Sequence, residues 1–295
     1  MEKVALRTPN DVLSITWSEY GERVERIAAG LHTLGVGRGE TVGIMLVNRP
    51  EFNLIDTAAL HLGATPFSVY NSSAAEQIGH LLENAANRVV VTERGFLPVI
   101  QAAMAAGGKV EHVVLVDDIQ EGTISLELLE ARSEPGFDFE ATWRAVEPND
   151  VATLIYTSGT TGPPKGVQLT HASLLAEVRA MHERLPATPG GRTISYLPCA
   201  HIADRWYHHY HCSIGLGFTV TCVADARTIA THLHEVRPTA WGGVPRVWEK
   251  IKASLEAQGI ADPATLPSEQ RAAIRAKLGL QECEWLVAGG FADPS

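Results

Sequence analysis

The twelve residues Tyr156-Thr157-Ser158-Gly159-Thr160-Thr161-Gly162-Pro163-Pro164-Lys165-Gly166-Val167 concentrate hydroxyls, glycines and one lysine in a single stretch. Gly159, Gly162 and Gly166 let the backbone approach a ligand closely and turn successive N–H groups towards it. Thr157, Ser158, Thr160 and Thr161 add hydroxyl donors, Lys165 adds a positive charge, and Pro163-Pro164 stop the segment from continuing as helix. That chemistry suits a polyphosphate, and ATP is the obvious one. The spacing is not that of a Walker loop, because neither Gly159 nor Gly162 starts the required Gly-x4-Gly-Lys-Ser/Thr pattern. A flexible linker would need neither a preceding apolar strand nor a proline stop.

A second group of candidates is the histidine cluster His201, His208, His209 and His211. His208 and His211 are three apart and share a helical face, but no Asp, Glu or Cys stands in an obvious position to complete a tetrahedral metal site, so solvated helix histidines are expected. Trp206, Tyr207 and Tyr210 on the same helix are candidates for a channel lining or for core packing. Trp241-Gly242-Gly243-Val244-Pro245-Arg246 sets two glycines before a proline-started helix, which fits either a close ligand approach or a tight turn.

These residues need a scaffold, and the periodicity supplies one. The segment 151–155 reads as a buried strand that delivers the Gly/Thr loop from its carboxyl end, and Thr170 opens a helix over 172–184. Upstream, Thr16-Trp17-Ser18-Glu19 forms a capping box for a helix whose apolar face is Tyr20, Val24, Ile27, Ala28, Leu31 and Leu34. Strands are predicted over 41–47, 65–69, 88–92 and 110–116, with helices over 50–62, from a second box at Ser73–Glu76, over 96–106 and over 126–131. The stretch 134–149 reads as a connector. Downstream the rhythm returns, with strands over 193–197, 218–223, 239–242 and 284–288 and helices over 202–211, 229–236, 244–258 and 269–278. Strand–helix alternation of this kind implies parallel strands joined by crossover helices, an α/β chain.

The 295 residues, 45% of them hydrophobic, can bury a large core. A formal charge of −10 gives no basic excess for nucleic acid or an anionic membrane, so no nucleic-acid partner is expected and membrane contact is at most peripheral. Cys199, Cys212, Cys222 and Cys283 show no paired spacing, and the first residues lack the apolar core of a signal peptide, which makes a cytoplasmic location the expectation.

The run from Tyr156 to Val167, followed by Leu169-Thr170-His171, resembles the phosphate-loop motif of the adenylate-forming (AMP-binding) superfamily. Asn48-Arg49-Pro50-Glu51-Phe52, Leu62-Gly63-Ala64, Tyr196-Leu197-Pro198-Cys199-Ala200-His201-Ile202 and Gly243-Val244-Pro245-Arg246-Val247-Trp248-Glu249-Lys250 extend the resemblance over most of the chain, and the last two are most similar to long-chain fatty-acyl-CoA synthetases. The resemblance implies the layered parallel-sheet sandwich of that superfamily's large N-terminal domain. Residues 1–295 would form part of it, with the small C-terminal domain lying outside.

It also implies a reaction in which a fatty acid attacks ATP to give acyl-AMP, then coenzyme A displaces AMP, with magnesium on the phosphates. By the same resemblance Thr157, Ser158, Gly159, Thr160, Thr161, Gly162 and Lys165 hold the β- and γ-phosphates, His201 lies beside the acyl carboxylate, and Gly289-Gly290 form the strip against adenine. Thr157, Lys165 and His201 are the expected catalytic residues, and Asp204 and Arg205 continue the His201 motif as an acid–base pair. Other adenylate-forming enzymes, such as acyl-AMP ligases and amino-acid adenylation domains, share the loop, and a non-catalytic nucleotide-binding fragment is a further alternative.

Overall fold

The computed structural model describes residues 2–107, 109–157, 163–260 and 262–288. In chain order, β1 (Val4–Arg7), β2 (Ser14–Thr16), α1 (Trp17–Thr33), β3 (Thr41–Met45), α2 (Pro50–His61), β4 (Thr65–Ser68), α3 (Ala75–Asn84) and β5 (Val89–Thr92) come first. Then follow α4 (Leu97–Ala105), β6 (His112–Leu115), β7 (Ile124–Ser125), α5 (Leu126–Glu130), α6 (Phe139–Arg144) and β8 (Val151–Thr157). Beyond the Gly/Thr segment lie β9 (Lys165–Thr170), α7 (His171–Arg184), β10 (Arg192–Ser195) and the short α8 (Ile202–Asp204), which runs into a π-helix over Arg205–Gly215. The described part closes with β11 (Thr219–Cys222), α9 (Ile229–Val236), β12 (Ala240–Gly243), α10 (Pro245–Glu256), α11 (Ser268–Lys277) and β13 (Trp285–Ala288).

The capping box at α1 forms as its sequence predicts: the Thr16 hydroxyl accepts from Glu19 N–H at 3.3 Å, and the Glu19 carboxylate accepts from Thr16 N–H at 2.8 Å. Thr16→Ala should therefore cost about 1 kcal/mol, read as a lowered urea midpoint with unchanged m-value; an unaltered midpoint would show the cap to be idle. The second predicted box is displaced by one residue. Ser73 N–H is bonded to the Tyr70 carbonyl in the preceding turn, so Ala74 becomes the N-cap and Gln77 reaches back to its N–H at 3.2 Å.

Seven strands pair in the order β7-β6-β5-β3-β4-β8-β9, all parallel except the antiparallel β8–β9 pair. A second sheet has the order β10-β11-β1-β2, antiparallel only between β1 and β2, and β12 pairs with β13 in parallel. In β3, β5 and β6, Val42, Ile44, Val89, Val91 and Val114 enter one core while Met45, Val90, Val113 and Leu115 enter another. Both faces of the large sheet are thus buried, as period-two alternation of uniformly apolar strands requires.

The first core holds α1 and α2 between the two larger sheets, through Tyr20, Val24, Ile27, Leu31, Phe52 and Ile55 on the helices and Leu6, Ile15, Val220 and Cys222 on the smaller sheet. The second places Ile78, Leu82 and Ile100 of α3 and α4 on the outer face of the large sheet. A third core sets Ile229, Leu233 and Val236 of α9 beside Ile194 and Trp241. The chain is a layered α/β sandwich, as expected.

The predicted connector over 134–149 contains α6, because the Asp138 carboxylate caps Ala141 N–H at 2.9 Å and Phe139 stacks on His61 of α2 with ring centroids 5.1 Å apart. The sequence reading lacks β1, β2, β7 and β9: β2 and β7 are three residues or shorter, and β9 follows directly on the Gly/Thr run, where no apolar strand pattern stands out.

Candidate active site

β8 is buried along most of its length and ends at Thr157, which is exposed. The antiparallel register pairs Thr157 with Lys165 and Tyr156 with Gly166, so β8 is followed by a returning strand rather than directly by a helix. Lys165 accordingly opens β9 at the sheet edge instead of sitting in a loop, and it is exposed there. Ser158, Gly159, Thr160, Thr161 and Gly162 lie outside the described residues, as do Gly289 and Gly290.

The β8–β9 pair rests on α3. Tyr156 Oη donates to Asn84 Oδ1 at 2.9 Å, burial pushes its phenol up to about 12, and His80 Nε2 bonds the Pro164 carbonyl at 3.2 Å. A Cβ at Gly166 would stand 3.2 Å from the Tyr156 ring, so glycine makes room for the tyrosine across the strands. The facing ends of β8 and β9 are therefore anchored on both sides by side chains of one helix.

His201 follows β10 and caps α8, its Nδ1 accepting from Ala203 N–H at 3.1 Å. With Nδ1 used as an acceptor, a neutral ring carries its proton on Nε2 and can offer it to a ligand. His201 is exposed and lines a cavity of about 500 Å³ together with Thr157, Tyr70, Ser72, Gln77 and Pro164. The tertiary structure thus brings two of the three expected catalytic residues, Thr157 and His201, to one cavity although 44 positions separate them in sequence (201 − 157). Lys165 instead lines a neighbouring cavity of about 570 Å³ with His80, Asn84 and Gln168.

The remaining histidines do not behave as expected. His208, His209 and His211 are buried, not solvated. Asn53 Nδ2 donates to His209 Nδ1 at 2.8 Å, leaving Nε2 to donate to Asp56 at 3.1 Å, and His208 Nδ1 donates to Asp204 at 2.6 Å. Two carboxylates therefore do stand beside the histidines, one beside His208 and one beside His209; among the described residues no group of three His, Cys, Asp or Glu side chains could hold a metal ion.

Asp204 and Arg205 are not a pair with each other. Arg205 is fully buried and bonds Asp56 of α2, with further bonds to the Pro66 carbonyl at 3.0 Å and Tyr210 Oη at 3.0 Å. Burial pushes the Asp56 carboxyl up, but the Arg205 guanidinium, His209 and Tyr210 together hold it below its ordinary value. Tyr207 and Tyr210 are buried too, and Tyr210 completes this network by donating to Asp56 at 2.9 Å.

At the other glycine pair, a Cβ on Gly243 would come within 2.7 Å of the Trp248 indole and one on Gly242 within 3.3 Å of the Tyr207 ring. The close approach there is made by the protein's own aromatic side chains. Sequence reading missed Asn48 and Asp56 as network residues. A carboxylate at the centre of the apolar helix α2 was the available signal, since an unpaired one there would be prohibitively costly.

Comparisons with known proteins show the family and the fold. A fatty-acyl-CoA ligase relative, the long-chain-fatty-acid–CoA ligase heimdall of Drosophila melanogaster, is 30% identical over 295 aligned residues covering 94% of this chain and 42% of its own length. A Mycobacterium tuberculosis protein provisionally named fatty-acid–CoA ligase fadD11 is 60% identical over 136 residues, 46% of this chain and 24% of that protein. The chain thus spans less than half the length of these relatives.

Among solved structures, the inhibitor-bound N-terminal domain of FACL13 from Mycobacterium tuberculosis superposes with a TM-score of 0.75 at 22% identity, over 98% of this chain and 66% of that one, which shows a common fold. The model of the AMP-binding enzyme family matches residues 1–290, nearly the whole sequence and both elements that meet at the Thr157–His201 cavity. The chain belongs to the AMP-binding enzyme family.

Proposed function

We propose that this chain is part of the large domain of a long-chain fatty-acid–CoA ligase and carries groups for the first half-reaction, attack of a fatty carboxylate on the α-phosphorus of ATP. The observation that carries this reading is the shared cavity of Thr157, at the end of β8, and His201, from the separate β10–α8 segment. A phosphate-binding segment and a hydrogen-bond donor for a carboxylate on one cavity are what adenylyl transfer from ATP to a carboxylate requires.

In this reading the Thr157 hydroxyl, the Gly/Thr backbone with Ser158, Thr160 and Thr161, and Lys165 compensate the charge of the β- and γ-phosphates. Gly289-Gly290 lie against adenine. His201, its Nδ1 engaged by Ala203 N–H, turns its Nε2–H towards the carboxylate and holds the attacking oxygen in line. The carboxylate oxygen forms a bond to the α-phosphorus as the bond to the bridging oxygen of pyrophosphate breaks. The thiol of coenzyme A would then form the thioester bond to the acyl carbon as the acyl–phosphate C–O bond breaks and AMP leaves.

The described lining of the cavity offers hydroxyls, an amide and an imidazole; magnesium on the phosphates would take oxygen ligands, and no described lining residue supplies a carboxylate. Among the described residues no helix is long and apolar enough to cross a membrane. The cytoplasmic location and peripheral membrane contact remain part of the proposal.

The test is carboxylate-dependent exchange of labelled pyrophosphate into ATP across short, medium and long acids. Exchange with long acids is the expected result; exchange only with amino acids would favour an amino-acid adenylation domain, and none from the folded chain would overturn the catalytic reading for this chain. Lys165→Ala should slow exchange by roughly 100-fold through loss of a charge at the phosphates, while His201→Ala should raise the KM for the acid by roughly 10-fold, as expected for one hydrogen bond to a charged group. Because Lys165 sits exposed on an edge strand, its variant should keep the wild-type unfolding curve.

A further inference from the structure

We propose that Asp204 is the positioning residue for His201: it closes the 195–204 segment into a rigid loop that presents the imidazole to the cavity. The inference rests on the functional reading above only for what His201 does, not for how it is held.

Asp204 is 2% exposed and accepts from five donors, on Asn48, Ser195, Leu197, Cys199 and His208. Its Oδ2 takes the Ser195 hydroxyl at 2.7 Å, Asn48 Nδ2 at 3.3 Å and the Cys199 thiol at 3.9 Å; its Oδ1 takes Leu197 N–H at 3.2 Å and His208 Nδ1 at 2.6 Å. Ser195 is the last residue of β10, so the carboxylate bonds back to the start of the segment whose end it occupies. Inside that closure His201 N–H bonds the Pro198 carbonyl at 2.9 Å and its ring caps Ala203, which leaves the imidazole little freedom.

Asn48 adds the second half of the clamp. It follows β3 of the large sheet, and its amide also donates to the Ser195 hydroxyl oxygen at 2.9 Å and the Leu197 carbonyl at 2.8 Å. The two sheets that carry the two sides of the cavity are therefore tied at the His201 segment by one asparagine and one aspartate. This gives the Asn48-Arg49-Pro50 motif and the acid three residues after His201 a common purpose.

The need for an aspartate follows from counting. An ionised carboxylate accepts from all of these donors, whereas an asparagine at 204 would turn an NH2 group towards either Leu197 N–H or Asn48 Nδ2, which can only donate. Buried donors left facing a donor do not stay in place, so the loop must rearrange.

The experiment compares Asp204→Asn, His201→Ala and the double variant, in pyrophosphate exchange and by amide hydrogen exchange over residues 195–204 with the His201 imidazole 15N shifts. If Asp204 acts through His201, D204N raises the acid KM by about as much as H201A, leaves the ATP KM within about twofold, and adds nothing in the double variant. Amide exchange at 197 and 201 accelerates at least tenfold, and the His201 Nδ1 shift moves towards that of a free imidazole. Additive KM effects, or unchanged exchange and shifts at His201, would overturn the proposal. If the wild type shows no pyrophosphate exchange, the functional reading fails while the amide and imidazole readouts still decide the positioning role. Should D204N not fold, Ser195→Ala removes one donor, and accelerated exchange at 197 and 201 is again the result required.

Discussion

Replacing Asp56 by alanine should destabilise the folded chain by about 3–5 kcal/mol, because it leaves the Arg205 guanidinium without its counter-ion in a site closed to water. Both side chains are fully buried, Asp56 in the middle of α2 and Arg205 at the start of the π-helix, so no solvent can replace the lost partner. The same substitution strips the acceptor from His209 and Tyr210. Urea unfolding followed by tryptophan fluorescence reads the loss as a lower midpoint. The double variant Asp56→Leu with Arg205→Met should recover much of it, since apolar groups of similar volume often match a buried pair in stability. A D56A midpoint equal to wild type would show that the pair contributes little.

The pH dependence has a definite sign. The Asp56 carboxyl titrates lower in the folded chain than in the unfolded one, so its contribution is fully present above the unfolded-state value and is lost as pH falls through the still lower folded-state value. Wild type should therefore lose stability on acidification below about pH 4, the ordinary carboxylate range, and Asp56→Asn should show a shallower acid limb.

A single methyl group at Gly30 should have the next largest effect on stability. The Cβ of an alanine there would lie 2.1 Å from the Leu129 carbonyl oxygen and 2.8 Å from Leu129 Cγ, so α1 and α5 could no longer touch as they do. Helix propensity favours alanine over glycine by about 1 kcal/mol, but overpacking against backbone costs about 1–3 kcal/mol or more, and the net should be a loss. Gly21 in the same helix is the control, because nothing lies within 4 Å of a Cβ built there. Gly21→Ala should raise the melting temperature and Gly30→Ala should lower it. Two variants shifted in the same direction would refute the packing account.

These two glycines also mark where sequence reading stops. Both sit in an amphipathic pattern that specifies α1 from Thr16 onwards, and nothing local distinguishes the one that faces solvent from the one pressed against another helix. The same limit applies to the polar network. The segment around His201 was recognisable as a unit with chemistry, yet Asp204 and Arg205 looked like partners because they are adjacent; in the fold they face different layers and bond residues 156 and 149 positions away in sequence, Asn48 and Asp56.

The sequence by itself determined the elements with strong period or strong punctuation: α1 with its cap, the doubly buried strands β3, β5 and β6, the strand leading into the Gly/Thr segment, and the family to which the motifs belong. The Gly, Thr, Ser and Lys run of the candidate site is equally local, because it is contiguous in the chain. Only the tertiary structure decided that Lys165 begins a returning strand, that the histidines after His201 are interior, and that Thr157 and His201 face one cavity. Those outcomes depend on pairing register, on charge compensation between layers and on the closing of two sheets over α1 and α2. Such non-local terms leave no periodic trace in the chain.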